Sequence, residues 1–406
     1  MDAGGTGCGA DARQRATIRG MPEHTYPRFT DAEYAARHAA VRKRMDEAGV
    51  AGLVVCGFGR SAEINYLANW RTTTEAWLVF PRDGEMTLLV QLSNHLPNAR
   101  LMSIADDVRF AGSAPTGSAD SIPTLVGVLN EKGLASERLG IVGPMSYTHH
   151  PRLQEALPSV VLTDFSAQMR DQRQIKSDEE IEWLRRSALM SDRSVMALVE
   201  QARPGMTEHQ LAKVIEDAYL GDGGINQIHF VITTSMANPE GGIPRQYMSD
   251  RVVQKGDVLV TEISTNAFGY VAQVLRTMTI GEGPNEEYHA LHETALEAFG
   301  RIESVLRPGA TVAEVMDAAD VIAERGFTVY DDLVHGESQL PPIVRTREQY
   351  RGEPPNFTYR EGQCYVIQPN VVTTDAMRGV QFGEMVRIIA TGVERLHTVP
   401  RQLFVI

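Results

Sequence analysis

Three ionisable side chains in the second half of the chain stand in surroundings that suit proton transfer. Glu262 lies within the apolar run DVLVTEIS, His335 lies in DDLVHGES, and Glu384 lies in GEMVRI. A carboxylate in a buried strand is costly to ionise, so burial raises its pKa towards the range in which general acid–base catalysis works. A histidine titrates near neutral pH without such help. We therefore single out Glu262, His335 and Glu384 as candidate catalytic residues.

Each of these residues also has a structural interpretation. A hydrogen bond from Gln273 on a neighbouring strand would satisfy Glu262, and a backbone carbonyl would satisfy His335. Glu384 would be structural in a buried ion pair, because a paired carboxylate is no longer free to act. The arginines predicted as its possible partners are Arg245, Arg276 and Arg387. As a free carboxylate in a cleft, Glu384 would instead bind a substrate ammonium or orient His335.

Other polar side chains are predicted to bind the substrate. Arg245, in GGIPRQYMSD, cannot act as a base, but its guanidinium suits a carboxylate or a phosphate. The same role is predicted for Gln273, Gln368, Tyr247, His229 and Glu337. Arg245 is otherwise a surface residue, and Tyr247 is otherwise a core or rim residue. Glu337 is alternatively a second acid or a solvated turn residue.

The first half of the chain is predicted to consist of strands that alternate with helices. Thr30 and Glu33 predict the start of a helix that continues to Gly49. Short apolar runs follow, namely GLVVCG (52–57), AWLVFP (76–81), MTLLVQ (86–91), RLGIVG (138–143) and VVLTDF (160–165). This alternation predicts an α/β domain over residues 25–170. No catalytic constellation or phosphate-binding loop is found there.

The second half, residues 171–406, is predicted to contain an internal repeat. Ser177 caps a long helix that ends at Arg203-Pro204-Gly205, and Thr207 begins another helix. About a hundred residues later, a helix ends at Arg307-Pro308-Gly309 and Thr311 begins the next one. Strand-like segments neighbour both copies. Two similar halves packed together would leave a cleft between them, where ligands commonly bind.

Composition excludes several classes of function. The 406 residues include 52 Asp and Glu against 39 Lys and Arg, a net charge of −13, which argues against nucleic acid as a partner. No apolar run is long enough to span a membrane. Cys8, Cys56 and Cys364 have no metal-site or disulfide spacing, which favours a reducing cytoplasm. Residues 1–24 are predicted to be a disordered extension, with Met21 as an alternative start.

The second half resembles the creatinase/prolidase/methionine-aminopeptidase family, whose C-terminal domain has the pita-bread fold. The resemblance rests on IKSDEEIEWLRRSA (175–188), RPGMTEHQL (203–211), KGDVLVTEISTNAFGYVAQVLRTMTIG (255–281), VHG (334–336), VIQPNV (366–371) and GEMVRIIATG (383–392). It implies a creatinase-like N-terminal α/β domain followed by a pita-bread domain with an internal pseudo-two-fold repeat. It also implies a homodimer.

The resemblance implies a site with an altered set of metal ligands. Peptidases of this family hold two divalent metals with Asp, Asp, His, Glu and Glu. These positions fall here on Glu262, Gln273, His335, Gln368 and Glu384. A dinuclear centre needs anionic oxygens, and two positions carry neutral amides, so we expect no cofactor. A single divalent metal on Glu262, His335 and Glu384 remains open, with weak ligation from the two amides.

Further positions depart from the family pattern. The His that these relatives share falls on Arg245, one catalytic Glu of creatinase falls on Leu275, and a prolidase His falls on Pro342. We therefore expect a creatinase-like, metal-independent enzyme that hydrolyses a C–N bond of a small polar amide or amidine, or a lyase variant of it. A mononuclear Xaa-Pro-type peptidase and a catalytically silent binding protein are the alternatives. The substrate itself is not predicted.

Overall fold

A computed structural model describes residues 26–112, 120–350 and 353–406 of the chain. The predicted extension, residues 1–24, and the alternative start at Met21 lie outside the described residues. Among the helices of the described part, none combines the length and the apolar character that crossing a membrane requires.

The first half forms a six-stranded mixed sheet covered by helices. Its strands are β1 (Gly52–Gly57), β2 (Ala76–Pro81), β3 (Thr87–Val90), β4 (Asp107–Phe110), β5 (Arg138–Val142) and β6 (Val161–Asp164), in the order β4-β3-β2-β1-β5-β6. Its helices are α1 (Asp31–Ala48), α2 (Ala62–Ala68), α3 (Leu96–Met102), α4 (Ile122–Glu131), α5 (His149–Ala156) and α6 (Ser166–Gln174). The apolar runs predicted as strands all form strands, and β1 and β2 have the predicted bounds. Helix α6 runs across the predicted domain boundary at residue 170, which stays a prediction.

The second half contains the long antiparallel sheet that carries the site. Its helices are α7 (Asp178–Gln201), α8 (Glu208–Asp217), α9 (Glu286–Val305), α10 (Val312–Ala318) and α11 (Val321–Glu324). Its strands are β7 (Ile225–Ser235), β8 (Asp257–Ala267), β9 (Tyr270–Thr279), β10 (Thr328–Val329), β11 (Val334–Gly336), β12 (Cys364–Ile367), β13 (Val371–Val372), β14 (Gly383–Ile389), β15 (Gly392–Arg395) and β16 (Phe404–Val405). The main sheet runs β11-β12-β14-β9-β8-β7, with β15 on β14 and β16 on β9.

The predicted repeat is present as two copies of one helix pair. Thr207 caps α8 and Thr311 caps α10, and both form a capping box with the third residue of the helix. Each of these threonines also forms an isolated β-bridge, Thr207 with Val252 and Thr311 with Thr358. The predicted α/β fold with a duplicated C-terminal half is therefore confirmed.

The two faces of the main sheet have different partners. On β8, Thr265 bonds Ser187 and Ser191 of α7, and Ile263 packs in the core that contains α8. Because side chains alternate along a strand, residues 262, 264 and 266 point to the opposite face. We call that opposite face, from Glu262 to Asn266 on β8 and across the neighbouring strands, the cleft face.

The tip of the β8–β9 hairpin fixes the two halves of the chain against each other. Its two turn residues, Phe268 and Gly269, have φ values of 55° and 95°, as a two-residue hairpin of type I′ requires. The Asn65 amide on α2 donates to the Phe268 carbonyl, and a Cβ on Gly269 would lie 2.8 Å from that amide. Glycine is therefore needed here for both conformation and space.

Candidate active site

Strand pairing brings four of the predicted site residues to the cleft face. Glu262 of β8 pairs with Leu275 of β9, and Gln273, two residues earlier on β9, shares its face. His335 of β11 pairs with Val366 of β12, which lies two residues before Gln368. Because directly opposed residues of antiparallel strands project to the same side, these side chains share one surface.

The two amides link carboxylates into one hydrogen-bonded network. Gln273 Nε2 donates to Glu262 Oε1 at 3.0 Å and to Gln368 Oε1 at 2.9 Å. Gln368 Nε2 donates to Asp332 Oδ1 at 2.9 Å, and Gln381 Nε2 donates to Glu262 Oε2 at 3.4 Å. The structural interpretation of Glu262, a bond from Gln273, is thus realised, and Glu262 is still not paired with a described Lys or Arg. The amides fix where the Glu262 oxygens point.

The electrostatics of Glu262 and His335 suit proton transfer. Burial raises the pKa of Glu262, and the nearby His335 and the Gln381 hydrogen bond offset part of that rise. His335 Nδ1 lies 2.9 Å from the Gly336 carbonyl, which can only accept, so Nδ1 carries a proton. The Nε2 atom of a neutral His335 is then left as an acceptor.

Two acidic residues of the site were missed by the sequence analysis. Asp331 and Asp332 lie directly before β11 and are partly buried. Burial, together with the charges of Asp332 and Glu262, raises the pKa of Asp331 well above its usual value. Burial also raises the pKa of Asp332. The adjacent acids DD, three residues before His335, were the available signal, but a solvated turn has the same composition.

Glu384 does not belong to the cleft, and its predicted catalytic role is corrected. It pairs with Val274 and therefore projects to the face opposite that of Gln273. It is fully buried and accepts from Arg276 at 2.8 Å, Arg395 at 2.6 Å and Arg401 at 2.7 Å. Hydrogen bonds and charges of these arginines lower its pKa to about 2 despite its burial. Glu384 is a structural carboxylate.

Gly383 takes the cleft-face position on β14. It pairs with Leu275, which pairs with Glu262, so the three positions form one row across the sheet. A Cβ at Gly383 would lie 2.4 Å from the Ile367 carbonyl oxygen and 2.9 Å from Gln368 Cα. The fifth family position on this face is therefore held by a glycine. Assigning it to Glu384 was wrong by one residue, which reverses the face.

Arg245 and Tyr247 are placed at the surface. The Arg245 side chain is 41% exposed and lies 3.9 Å from Glu240, while its backbone bonds Val231 at the side of β7. Tyr247 is 84% exposed. Neither side chain contacts the amide–carboxylate network within the described chain. The surface alternative for Arg245 is therefore the one that the geometry favours.

His229 and Glu337 are buried away from the network, which corrects their predicted binding role. His229 pairs with Ile263 and so projects to the helix-covered face, where its Nε2 lies 2.8 Å from the Tyr219 hydroxyl. Burial lowers its pKa to about 4. Glu337 is 3% exposed and forms an ion pair with Lys176 at 3.2 Å. Both side chains have the structural partners that buried polar groups require.

A cavity of about 570 Å³ continues the cleft face between the two halves of the chain. Asn266 lies in its wall, four residues from Glu262 along β8 and therefore about 13 Å away. Arg60 and Arg71 line its other side, and Arg71 donates to Asn266 Oδ1 at 3.4 Å. Burial and the charge of Arg60 lower the pKa of Arg71, and neither guanidinium is paired with a described carboxylate.

The residues at the five family ligand positions do not form a dinuclear metal site. At these five positions the cleft face carries one carboxylate (Glu262), one imidazole (His335), two amides and the glycine at 383. The N–H groups of both amides donate to neighbouring oxygens, and an N–H group cannot coordinate a metal ion. Over the described residues, no three His, Cys, Asp or Glu side chains converge closely enough to hold a metal ion.

Two family models match the chain. The "Creatinase/Prolidase N-terminal domain" model matches residues 37–175, and the "Metallopeptidase family M24" model matches residues 182–390. Together they cover both halves of the fold described above.

Curated relatives and solved structures support the same assignment. The chain is 28% identical to the "Probable dipeptidase PepE" of Mycobacterium tuberculosis H37Rv, over 93% of this chain and 98% of that protein. It is 23% identical to the creatinase of a Bacillus species, over 90% and 87%. The dipeptidase PepE structure from Mycobacterium ulcerans is 26% identical, with a TM-score of 0.75 over 93% of this chain and 99% of that one.

These matches decide three expectations. An enzyme that hydrolyses C–N bonds is confirmed, because the matching family and its named relatives are peptidases and hydrolases. The expectation of a site without a cofactor is wrong, because the match is to a family of metallopeptidases whose peptidase members depend on divalent metal. The expected resemblance is itself confirmed: the chain belongs to metallopeptidase family M24, in its branch with a creatinase/prolidase N-terminal domain.

Proposed function

We propose that this enzyme hydrolyses the C–N bond of a small zwitterionic substrate of dipeptide type. The observation that carries the proposal is that Glu262 and His335 share the cleft face and interact electrostatically, on the face that leads to an interdomain cavity of small-molecule size. A carboxylate with a raised pKa and a nearby imidazole are typical groups for general acid–base hydrolysis.

The residues act on the substrate as a base and an acid. Ionised Glu262 takes a proton from a water molecule, whose oxygen attacks the carbonyl carbon. His335, once it is protonated at Nε2, gives that proton to the leaving nitrogen as the C–N bond breaks. The proton on Glu262 then returns through solvent to Nε2, which restores both groups. Gln273 and Gln368 are positioning residues, because they hold the Glu262 and Asp332 oxygens in place.

The cavity supports a substrate with a carboxylate end. Arg60 and Arg71 bring two guanidinium groups to its wall, and a guanidinium suits a carboxylate through paired N–H bonds. Asn266 lies about 13 Å from Glu262, farther than the roughly 7 Å that a dipeptide spans, so the two guanidinium groups would draw the C-terminal carboxylate of a dipeptide towards the cleft rather than hold it during cleavage. The relatives named dipeptidase and Xaa-Pro dipeptidase favour the same substrate class.

A panel of dipeptides, with Xaa-Pro members, tests this function. Amine release is measured for each peptide with no added metal and with Mn²⁺, Co²⁺ or Zn²⁺. We expect hydrolysis of at least one peptide, lost in Glu262→Gln and in His335→Gln and kept in Asp83→Asn, an exposed control. No hydrolysis of any member under any of these conditions would overturn the proposal.

We further infer that the enzyme is a cytoplasmic homodimer. Cys56 and Cys364 are both buried and free, and burial raises the pKa of each thiol to about 12. Unreactive thiols without a disulfide suit a reducing compartment. The two-domain layout that this chain shares with its family supports the association of two copies.

A further inference from the structure

Ser264 is a buried residue of the cleft face whose hydroxyl has no hydrogen-bond partner within the described chain. It lies on β8, two residues after Glu262, and is paired with Gln273 of β9. Its side chain therefore shares the face of the reacting pair. The residue is only 1% exposed, yet Ser264 Oγ neither donates to nor accepts from any described residue. Because a buried polar atom without a partner is costly, the partner of this hydroxyl is expected among the contents of the cleft.

Other buried serines beside the same strands do have partners. Ser187 Oγ donates to the Thr265 carbonyl at 2.8 Å, and Ser191 Oγ donates to the Ala272 carbonyl at 2.9 Å. Both serines lie on α7, which packs on the face of the sheet opposite the cleft. An unpaired hydroxyl is therefore not a general feature of this sheet, and the one on β8 belongs to the face on which the reacting pair lies.

The other donors near Ser264 are already engaged. Gln273 Nε2 uses its two hydrogens on Glu262 and Gln368. In the proposed reaction, the proton on His335 Nε2 goes to the leaving nitrogen. None of these groups is left to donate to the carbonyl oxygen of the substrate, which gains negative charge when water adds to the carbonyl carbon. The hydroxyl of Ser264 is a donor that is free for this oxygen.

The position of Ser264 on β8 suits a donor to that oxygen. Neighbouring side chains on one face of a strand are about 7 Å apart at the backbone. A scissile carbonyl between Glu262 and Ser264 would have its carbon next to the water that Glu262 activates. Its oxygen would then lie within hydrogen-bond reach, about 2.7–3.1 Å, of Ser264 Oγ.

The same geometry argues against Ser264 as a nucleophile. An activated serine hydroxyl lies within hydrogen-bond reach of the base that takes its proton. Ser264 Oγ makes no hydrogen bond to Glu262, to His335 or to any other described residue. The hydroxyl therefore keeps its proton and offers it in a hydrogen bond.

We propose that Ser264 is a further catalytic residue, whose hydroxyl donates a hydrogen bond to the oxyanion that forms at the scissile carbonyl. This inference rests on the proposed function and adds the group that stabilises its intermediate. When the water oxygen bonds to the carbonyl carbon, the π electron pair of the C=O bond moves onto the oxygen, to which Ser264 donates. The pair returns as the C–N bond breaks, and the proton stays on Ser264 throughout. The hydrogen bond is strongest when the oxygen is charged, so it favours the transition state over the bound substrate.

Turnover and stability together test the role of Ser264. Ser264→Ala removes only the hydroxyl, so kcat on the best dipeptide should fall by about 10²–10³-fold while KM stays nearly unchanged. Its Tm should stay the same or rise, because no hydrogen bond within the described protein is lost. Ser194→Ala is the matched control, since Ser194 is also buried but donates to the Met190 and Ile215 carbonyls. Its Tm should fall, and its kcat should stay native.

Binding of two matched analogues tests the oxyanion donor without turnover. A phosphinate analogue of a dipeptide has a tetrahedral anionic group in place of the scissile amide, and a ketomethylene analogue keeps the flat carbonyl. Calorimetry measures both on the native enzyme, Ser264→Ala and Ser194→Ala, under the metal conditions of the dipeptide panel. We expect Ser264→Ala to weaken phosphinate binding at least about tenfold and to leave ketomethylene binding nearly unchanged. Ser194→Ala should change neither.

The results separate this inference from the proposed function. Native kcat in Ser264→Ala, a loss of Tm like that of Ser194→Ala, or equal effects on the two analogues would overturn the role of Ser264 even if peptides are hydrolysed. An acyl group found on Ser264 by mass spectrometry would also overturn it, since the hydroxyl would then be a nucleophile. Selective loss of phosphinate binding in Ser264→Ala, without hydrolysis of any peptide, would support the oxyanion donor and overturn the peptidase.

Discussion

Each residue of the site takes its role from its partners. Glu262 and Glu384 are both buried strand carboxylates, yet amides contact the first and three arginines contact the second. Neutral donors leave the pKa of Glu262 raised, whereas guanidinium groups lower that of Glu384 to about 2. Amide partners leave the pKa of a buried carboxylate raised towards neutrality, and arginine partners move it away from neutrality.

Glu384→Gln should destabilise the fold by about 3–5 kcal/mol, because it leaves three arginine contacts without their buried negative charge. Urea unfolding measures the change. Glu394→Gln is the matched control: it removes a charge from the neighbouring strand β15, where the ion pairs are partly exposed and are worth at most about 1 kcal/mol. Similar losses in the two variants would contradict the structural role of Glu384.

The cost of Glu384→Gln should also depend on pH. The pKa of this carboxyl in the folded protein is about 2, below the unfolded value of about 4.3. Its stabilisation is therefore present above the unfolded pKa and is lost as the pH falls through the folded pKa. The difference in unfolding free energy between the native and variant proteins should shrink between about pH 4.3 and 2. A constant difference over that range would be contrary to this assignment.

Gln273→Asp combined with Gln368→Glu should increase the binding of divalent metal. The two changes place carboxylates on the cleft face next to Glu262 and His335, which supplies the anionic oxygens that hard metals need. Elemental analysis after equilibration with Mn²⁺ and gel filtration compares the native and variant proteins. An equal metal content in both would mean that the glycine at 383, or the arrangement of the strands, prevents a centre of the family type.

At the scale of elements, strand register decides which side chains meet. The apolar runs and helix caps predicted the bounds of β1 and β2 and the starts of α1, α7 and α8, because these signals are local. Which of Gly383 and Glu384 faces the cleft depends on pairing with β9, which local sequence does not report. The resemblance in sequence assigned the family's last Glu to Glu384, one residue beyond Gly383. Because side chains alternate along a strand, this shift of one residue placed the assigned side chain on the wrong face. Asp331 and Asp332 were missed because they lie outside the family's ligand positions.

Gly383→Ala tests the pairing of the strands around β14, and Gly300→Ala on α9 serves as a contrast. Gly383→Ala should destabilise the enzyme, because the added Cβ would lie 2.4 Å from the Ile367 backbone oxygen between β12 and β14. Gly300→Ala on α9 should stabilise it by up to about 1 kcal/mol, because no atom lies within 4 Å and alanine favours the helix. Thermal unfolding measures both changes, and a neutral Gly383→Ala would argue against the close strand approach.

At the scale of the whole molecule, the first half closes one side of the cleft. Asn65 bonds the β8–β9 turn, and Arg37 donates to the Tyr270 hydroxyl at 3.3 Å. The same contact region brings Arg60 and Arg71 to the cavity that continues the cleft face. The alternation of strands and helices predicted an α/β first half, but it could not show that this half contributes charge to the site.

The enzyme should form a homodimer in solution. The ground for this prediction is the two-domain layout that the chain shares with its family. Light scattering at micromolar concentration should give about 89 kDa, twice the chain mass of 44.7 kDa. A mass near that of one chain would contradict the assembly.

Turnover by Glu262→Gln tests the central claim most directly. The variant keeps the shape of the side chain and removes the charge that takes the proton, so kcat on the best dipeptide should fall by about 10²–10⁴-fold with little change in binding. Glu394→Gln, assayed under the same metal conditions, should keep native turnover. If Glu262→Gln also retains near-native kcat, Glu262 is not the base, and the mechanism proposed for this enzyme is wrong.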